Sequence, residues 1–460
     1  MLLYMLVYLN NIVLGLSSPI VISGAGPAAL IFAHRFLRLN HDASICIYEK
    51  RERPRRYVDT PTTECVAGDY AFGFGVSSKS QRILNKTKGL LKAIEAISQP
   101  SAFAPGIEIR LVNRRELCAE LLYELEKEFG GDNGRLQIHF ETEITDMEDN
   151  LPDDNDNAMA VTIVKSDNST ERVKYSLLIA ADGANSVVRS KLVDRGYLQC
   201  ERYRSGVTWK ALQLPEQPNL DAASFYRYPK PFFKPHRFIK KDRGAILPRF
   251  QNRHVLLNFR SENQKDGSTK FAFDAKTPDA LRLAIQSILP NVTNFPNDDI
   301  LQSFIDQKPG QESYMKLDRH YVPERNVVLV GDAAVGMYSL FGQGAANAMV
   351  HADLLAETLC STTVVDGRDN RGVSTVAAAL QQYSDKAVLE GHAISDLNLL
   401  SHALRRKGLV KFWAAFHMIG IGKTLSKSPE MGYSAILEKR KRAIWLSKFF
   451  WRRDRIEISS

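Results

Sequence analysis

The stretch "VISGAGPAALIFA" (Val21–Ala33) decides the fold. Small and β-branched apolar residues run up to Gly24, Gly26 and Pro27, and the chain then passes directly into a helical pattern. Working outward, "PIVISGAG" reads as a buried strand. Leu30, Ile31, Ala33, Phe36 and Leu37 mark one face of the helix that follows. "ASICIYEKRERP" (Ala43–Pro54) is a second strand, ending at Glu49 and closed by Pro54. Strand, glycine-rich turn, helix and strand make a βαβ unit.

Such a turn holds something against its backbone. Gly24 permits the tight turn, Gly26 lets a pyrophosphate approach, and Ala29 takes the third small position where helix meets strand. Pro27 and Ala28 begin the helix, whose N-terminus directs free N–H groups and partial positive charge toward phosphate. Glu49 is placed to accept hydrogen bonds from ribose hydroxyls, with Lys50 beside it. This fingerprint indicates a dinucleotide and does not separate NAD from FAD.

The 460 residues and 44% hydrophobic content support a large core, too long for one simple domain unless the fold is an elaborate α/β type. The net charge of +9 is concentrated at one end: residues 401–460 hold fourteen Lys/Arg against four Asp/Glu. A basic tail on a near-neutral body, with no zinc-finger, RRM or helix-turn-helix signature, argues against a nucleic-acid partner. The five cysteines, Cys46, Cys65, Cys118, Cys200 and Cys360, show no CxxC spacing. They read as reduced thiols of an intracellular enzyme, cytoplasmic or organelle-associated, with no metal site.

Along the chain, "NRRELCAELLYELEKEF" is an amphipathic helix, "RLQIHFETEI" and "AVTIVKS" are strands, and "YSLLIAADG" is another buried strand. From about Ser205 to Arg319, alternating segments such as "GVTWKAL", "HVLLNFRS" and "TKFAFDA" predict an antiparallel sheet inserted between two α/β portions. "NVVLVGD" returns to the buried-strand style, a long helix follows, and the last ~80 residues are mostly helical by pattern. The expected organisation is an apolar leader at 1–18 and an FAD-binding α/β portion at 19–204, with part of the substrate site near 65–110. A substrate domain at 205–320, a second cofactor portion at 321–375 and a helical region at 376–460 complete it.

A second site motif lies ~300 residues on, in "NVVLVGDAAVGMYSLFGQGAANAMVHADLLAETL". Asp332 ends an apolar strand, where doubly wound sheets bind ligands, and can hold a ribityl hydroxyl. Gly342 and Gly344 open a helix whose first residues include Ala345 and Ala346. Its positive end can face a developing anion, which suits a flavin ring. Between the two motifs, Asp182 and Gly183 end a strand, with Ser186 and Arg189 on the turn beyond. Read alone, that segment is equally a strand-to-helix turn with a capping Asp.

In order, these three stretches resemble the FAD-dependent aromatic hydroxylases, the single-component flavoprotein monooxygenases, from about Pro19 to about His402. The resemblance implies an FAD-binding, Rossmann-like three-layer α/β fold with an inserted antiparallel substrate sheet and a helical C-terminal region. It implies that the first motif takes the ADP part of FAD, the Asp-Gly motif serves flavin and nicotinamide, and the Gly-Asp motif takes the ribityl chain. Arg114, at the head of "NRRELCAELL", would contact the cofactor. NADPH or NADH would supply electrons and O2 the oxygen for a small aromatic substrate. The substrate would lie between the inserted sheet and the flavin, near aromatics such as Trp209, Phe225 and Phe341. No catalytic side chain is demanded.

Within that family, "IYEKRERPR", "AFGFGVSSKSQRIL" and "GHAISDLNLL" resemble segments of the kynurenine 3-monooxygenases. The chain also departs from the pattern. Val335 stands where the family usually has His, Ser339 where it has Pro, Ala346 where it has Asn, and His351 where it has Asp; Asn347 and Asp353 lie close by. The kynurenine-type Arg and Tyr are missing from "ISQPSAFAPG", Ser401 replaces an Asn, and Tyr433 is the candidate for a late Tyr. Kynurenine itself is therefore not the expected substrate.

The alternatives are a reductase or oxidase on the same scaffold, a degenerate flavin binder without catalysis, and a plain NAD-binding dehydrogenase, against which the Gly-Asp segment argues. The leader "MLLYMLVYLNNIVLGLSS" lacks the basic start of a secretory signal and is short for a membrane span, which leaves an irregular leader, a targeting or anchor segment, or a packed element of the fold. "LEKRKRAIWLSKFFWRRDRIE" alternates cations with aromatics. It reads either as a helix packing its aromatic face on the body or as a peripheral contact with an anionic membrane.

Overall fold

The computed structural model describes the chain apart from residues 1–18, 57–58, 60–64, 66, 68–72, 105–106, 132–133, 149–158, 221–225, 229–242, 249–253, 262–273, 362–375, 455 and 458–460. The leader, Phe225 and most of "TKFAFDA" lie outside the described residues.

In chain order, the first portion contains β1 (Ile20–Ser23), α1 (Pro27–Leu39), β2 (Ile45–Glu49), β3 (Gly73–Val76), α2 (Ser78–Asn85), α3 (Leu90–Ala96), β4 (Gln99–Ala104), β5 (Ile107–Asn113) and α4 (Arg114–Phe129). It continues through β6 (Leu136–Phe140), β7 (Thr142–Glu148), β8 (Met159–Lys165), β9 (Thr170–Tyr175), β10 (Leu177–Ala180) and α5 (Val187–Asp194). The middle holds β11 (Cys200–Leu214), β12 (Tyr226–Tyr228), β13 (Arg243–Pro248), β14 (His254–Ser261), α6 (Pro278–Ile288), α7 (Asp298–Asp306) and β15 (Gly310–Leu317). Then come β16 (Tyr321–Val322), β17 (Val327–Leu329), α8 (Gly344–Ser361), α9 (Val376–Asn398), α10 (Leu400–Leu404), α11 (Leu409–Lys427), α12 (Tyr433–Lys439), α13 (Lys441–Asp454) and β18 (Ile456–Glu457).

The central sheet has the order β16-β17-β10-β1-β2-β6, parallel except for β16. Both faces of its inner strands are covered, which is why β1, β2, β10 and β17 are apolar at nearly every position, whereas the edge strand β6 alternates. Ile20, Ile22, Ile45, Ile47, Leu177 and Ile179 pack beneath α1, α4 and α8. The alternate residues Val21, Cys46, Leu178 and Ala180 pack on the antiparallel β7-β8-β9 sheet, against Ile144, Val161 and Ile163. Helices, parallel sheet and antiparallel sheet make the three layers.

The stretch 135–144 reads as one strand in the sequence, but it is two. Glu141 has a left-handed φ of 52°, ending β6 in the parallel sheet and starting β7 in the covering one. The inserted sheet runs β12-β13-β14-β11-β15, and helices α6 and α7 bury Leu281, Ile285, Leu301 and Phe304 against Leu212, Leu214 and Leu256. After the basic helix α13, β18 returns to pair with β11. The basic helix packs Ile444, Ser447 and Trp451 inward, Trp451 into an aromatic cluster with Tyr203 and Tyr314, and leaves Trp445 and Phe449 exposed. Among the described residues no helix is long and apolar enough to cross a membrane, and no group of three His, Cys, Asp or Glu is placed to hold a metal ion. All five cysteines are free.

Candidate functional site

In the parallel sheet β1 lies between β10 and β2, so the strand order reverses at it and a crevice opens at the carboxyl ends of β1 and β10. Three sequence-distant turns meet there. Gly24 holds a φ of 90°, and a Cβ on it would stand 2.8 Å from the Ala181 carbonyl oxygen and 3.0 Å from the Asp182 Cα. The first glycine is thus required both by its dihedral and by the backbone of the second motif. Gly331, at φ 65°, lies so close to Ala28 and Ala348 that a Cβ would be 3.1 and 3.2 Å from their methyl groups. The third motif therefore sits against the first turns of both α1 and α8.

Both helices begin without a side-chain cap from their own N-terminal residue. In α1 the N-cap residue Gly26 offers none, Pro27 has no N–H, and the first intrahelical bond is Leu30 N–H to Gly26 at 3.1 Å. The amides of Ala28 and Ala29 precede it. In α8 the first such bond is Asn347 N–H to Gln343 at 2.8 Å, which leaves the amides of Gly344, Ala345 and Ala346 ahead of it. Gly342 enters this helix in the left-handed region at φ 61°.

Asp182 and Arg189 build the middle wall. Asp182 Oδ2 accepts from Val187 N–H at 2.8 Å, and Ser186 caps the helix by accepting from Arg189 N–H at 3.0 Å. The capping reading of this segment is thus correct, and it is not the whole account. The buried Asp182 Oδ1 has no hydrogen-bond partner, and burial raises the carboxyl above its usual range despite the Ser186 and Val188 contacts. Arg189 is buried and donates to the carbonyls of Ala333 at 3.0 Å and Ala184 at 2.8 Å. It ties the second motif to the third.

Asp332 is open to solvent yet ringed by protein, a carboxylate on the floor of a recess. That surrounding raises its carboxyl, while Arg114 and Arg189 pull it down. Arg114, the first residue of α4, is therefore brought to the same recess. Glu49 is engaged on both oxygens, accepting from Ala25 N–H at 2.7 Å and Arg51 N–H at 2.9 Å. It shapes the glycine turn, and a ribose would share its remaining lone pairs. Lys50 is largely exposed and pairs with Glu143 at 3.2 Å.

The departures from the family pattern have structural explanations. Val335 is buried in a notch at Gly391, where a Cβ would come within 2.5 Å of its Cγ2. Ser339 is exposed and donates to Glu312. Ala346 is wholly buried and carries no polar side-chain atom in place of the Asn. His351 is buried beside His320, their rings 5.6 Å apart, and none of the four ring nitrogens has a partner. Asp353 is taken up by Arg35, at 2.7 Å, and by Lys86, and does not face the recess chemistry. Asn347 keeps a buried amide oxygen without a partner.

Several contacts that position the site escaped sequence reasoning, which named Tyr433 only as the candidate for a late Tyr. The Asn398 Oδ1 accepts from Phe341 N–H at 3.2 Å, fixing the turn before Gly342. Tyr433 donates to Gln343 Oε1 at 3.2 Å, so α12 reaches the turn that opens α8. Lys79, buried in α2, donates to the carbonyls of Pro429 and Met431 and holds this C-terminal segment in place. Asn398 lies inside the quoted "GHAISDLNLL", which was the available signal. Trp209 is half-buried over Gly310 on the inserted sheet, and Phe341 sits at the turn before α8.

A dinucleotide with a ribityl chain fits these groups: two helix N-termini with free amides, a backbone cradle no Cβ would allow, and a recessed carboxylate beside two arginines. Comparison with known proteins points the same way. The FAD binding domain family matches residues 125–374. Kynurenine 3-monooxygenase 2 of Aspergillus niger is 26% identical over 54% of this chain, which spans about half (49%) of that relative. Kynurenine 3-monooxygenase of Caenorhabditis elegans is 22% identical over 92% of both chains. Among solved structures, aklavinone-11 hydroxylase with FAD and aklavinone superposes with a TM-score of 0.59 at 16% identity, over 85% of this chain and 69% of that one. The tetracycline destructase Tet(51) superposes at 0.58 with 17% identity, over 90% and 99%.

Proposed function

The chain belongs to the FAD binding domain family, that of the FAD-dependent aromatic hydroxylases, and from that premise we propose that it is a monooxygenase taking electrons from NADPH or NADH and oxygen from O2 to hydroxylate a small aromatic molecule. The observation that carries the reading is the meeting of the Gly24, Asp182 and Asp332 segments around one recess, joined by Arg189 to Ala333 at 3.0 Å. A plain NAD dehydrogenase has no use for the third segment.

When bound, FAD supplies the passage of electrons and the activation of oxygen. The protein's part is to hold it. The amides of Ala28 and Ala29, with Gly24 and Gly26 leaving room, receive the pyrophosphate. Glu49 faces ribose, with Lys50 at its rim. Arg114, Asp182, Gly183 and Arg189 form the wall, and Asp332 takes ribityl hydroxyls. The amides of Gly344, Ala345 and Ala346, reached past Gly342, hold negative charge on the reduced ring. The aromatic substrate enters from the inserted-sheet side, where Trp209 and Phe341 lie. The basic tail adds a peripheral membrane contact, since Trp445 and Phe449 are exposed on the helix that ends in Arg452 and Arg453.

Two measurements test this. Denatured pure protein should release FAD, and consumption of NADPH or NADH should rise with some member of a panel of phenols, anilines and indoles, giving a product with one added oxygen. Protein without flavin refutes the proposal. Flavin with no substrate-stimulated turnover across the panel favours the second reading, a flavin binder without hydroxylation. Val335, buried where the family usually carries His, speaks for that reading.

A further inference from the structure

Helix α11 carries a row of bulky apolar side chains on its outer face: Leu409, Phe412, Phe416 and Ile419. Their spacing of three and four residues puts them in one line. Leu409 is 87% exposed, Phe412 76% and Phe416 70%, an unusual stretch of apolar surface for a water-facing helix. The opposite face is conventional, with Ala414, Ile421 and Leu425 buried. The same outer line continues as Lys423 and Lys427, both exposed, and is preceded by the exposed Arg405 and Lys407. From Ser401 to Pro429 the chain holds six Lys/Arg and no Asp or Glu.

Apolar residues framed by cations at both ends, on a helix not apolar enough to span a bilayer, define the chemistry of the partner. A second copy of this face would set Lys407 against Lys423 and Lys427, or each lysine against itself, with Glu430 beyond the helix as the nearest acid in the sequence. The uncharged residues 1–18 would leave the same cations unanswered. Anionic headgroups answer them, while acyl chains receive the row between. We infer that α11 lies in the surface of an anionic lipid bilayer, with Leu409, Phe412, Phe416 and Ile419 inserted and the flanking lysines and arginines on the headgroups. This deepens the tail reading given above, but it rests on a different helix and is independent of the flavin chemistry.

The test is sedimentation of the full-length protein with vesicles of phosphatidylcholine alone or mixed with phosphatidylglycerol. The protein should sediment with the mixed vesicles and not with the neutral ones. The Phe412→Ser/Phe416→Ser variant should lose roughly tenfold or more in vesicle binding, and Lys423→Glu/Lys427→Glu should lose a comparable amount. Circular dichroism and bound FAD should be unchanged in both, because the altered side chains are outside the core. Full binding by both α11 variants, with loss in Trp445→Ser/Phe449→Ser, would overturn the α11 assignment and leave the tail as the contact. Absence of vesicle binding, with a dimer that F412S/F416S converts to monomer in analytical ultracentrifugation, would overturn it in favour of self-association.

Discussion

The guanidinium of Arg189 lies 3.0 Å from the carbonyl oxygen of Ala333, to which it donates, and 2.8 Å from that of Ala184. One side chain thus clamps the turn after β10 to the turn after β17, the two segments that border Asp332. Buried as it is, the cation also supplies positive charge to that carboxylate.

Replacing Arg189 by Ala leaves the buried Ala333 carbonyl without that donor, frees the carbonyl of the exposed Ala184 to water, and removes that charge. Hydrogen bonds from a charged donor contribute about 1.5–3 kcal/mol, so a destabilisation of about 2–4 kcal/mol is expected. Arg189→Lys should recover only part, since an ammonium cannot span both carbonyls in one plane. Thermal melting with and without FAD, read beside flavin absorbance per mole of protein, checks both effects. An alanine variant with wild-type melting and full flavin would contradict the clamp.

Gly24→Ala should fail for a different reason. Its Cβ would meet the Ala181 carbonyl at 2.8 Å, and its φ of 90° disfavours any side chain. Strain of this kind costs about 1–3 kcal/mol. Here it falls on the cradle itself, so flavin content should drop more steeply than the melting temperature. Gly89, with φ 83° and open space around it, is the control, because Gly89→Ala meets the dihedral cost without the clash.

The buried histidines set an acid limit. Burial lowers His34 and His351 to about 4, and lowers His320 as well, with His351 and His392 nearby adding to it. The unfolded chain takes up these protons near the ordinary pKa of 6.5, and the folded chain resists. Their stability is therefore complete above about 6.5 and is lost as pH falls toward 4. Each imidazole adds a slope of about 1.4 kcal/mol per pH unit in that window. Urea denaturation between pH 7 and 4.5 should show the decline, and His351→Leu should make it shallower by one proton. An equal slope in the variant would mean that His351 does not carry it.

Asp353 offers a contrast with the site carboxylates. It joins Arg35 and Lys86 between α1, α2 and α8, and its side chain is nearly inaccessible. Asp353→Asn should destabilise by about 1–2 kcal/mol, less than the loss of a sole partner would cost, because Arg35 and Lys86 both keep Glu357, while flavin content in the folded fraction stays near one. Chemical denaturation together with flavin titration separates the two. A selective loss of flavin would show that Asp353 belongs to the cofactor site.

Much of this was legible in the sequence because strong local signals carried it. Apolar inner strands identified the sheet that is covered on both faces, and Gly24 sits where a neighbouring backbone approaches too closely for a Cβ. Sequence could also order the three motifs, though not say that Arg189 would join two of them, since that contact depends on strand order. The break at Glu141 was invisible because "RLQIHFETEI" alternates smoothly across it. Asn398 and Lys79 were missed, and Tyr433 was named without its contact, because each acts on backbone or amide groups from a distant helix, and such contacts leave no periodicity. The sequence could say of Asp353 only that it lies close to the replaced positions; that proximity did not reveal Arg35 and Lys86 on its other side.

Asp332 allows cofactor binding to be separated from folding. Its carboxylate accepts no hydrogen bond from the described residues, and its surroundings raise its pKa, so as an anion it is held against the preference of its environment. A raised carboxyl pKa means that the ionised form detracts from stability at neutral pH and ceases to do so as pH falls through that pKa. Asp332→Asn removes the charge at nearly constant volume. The apo variant should consequently melt no lower than the wild type, and its flavin affinity should fall at least about tenfold, the loss of one good charge-assisted hydrogen bond to a hydroxyl. Differential scanning calorimetry of flavin-stripped protein and fluorescence titration with FAD provide the two readings. A variant that melts lower while binding FAD normally would make Asp332 a structural residue and remove the third motif from the site.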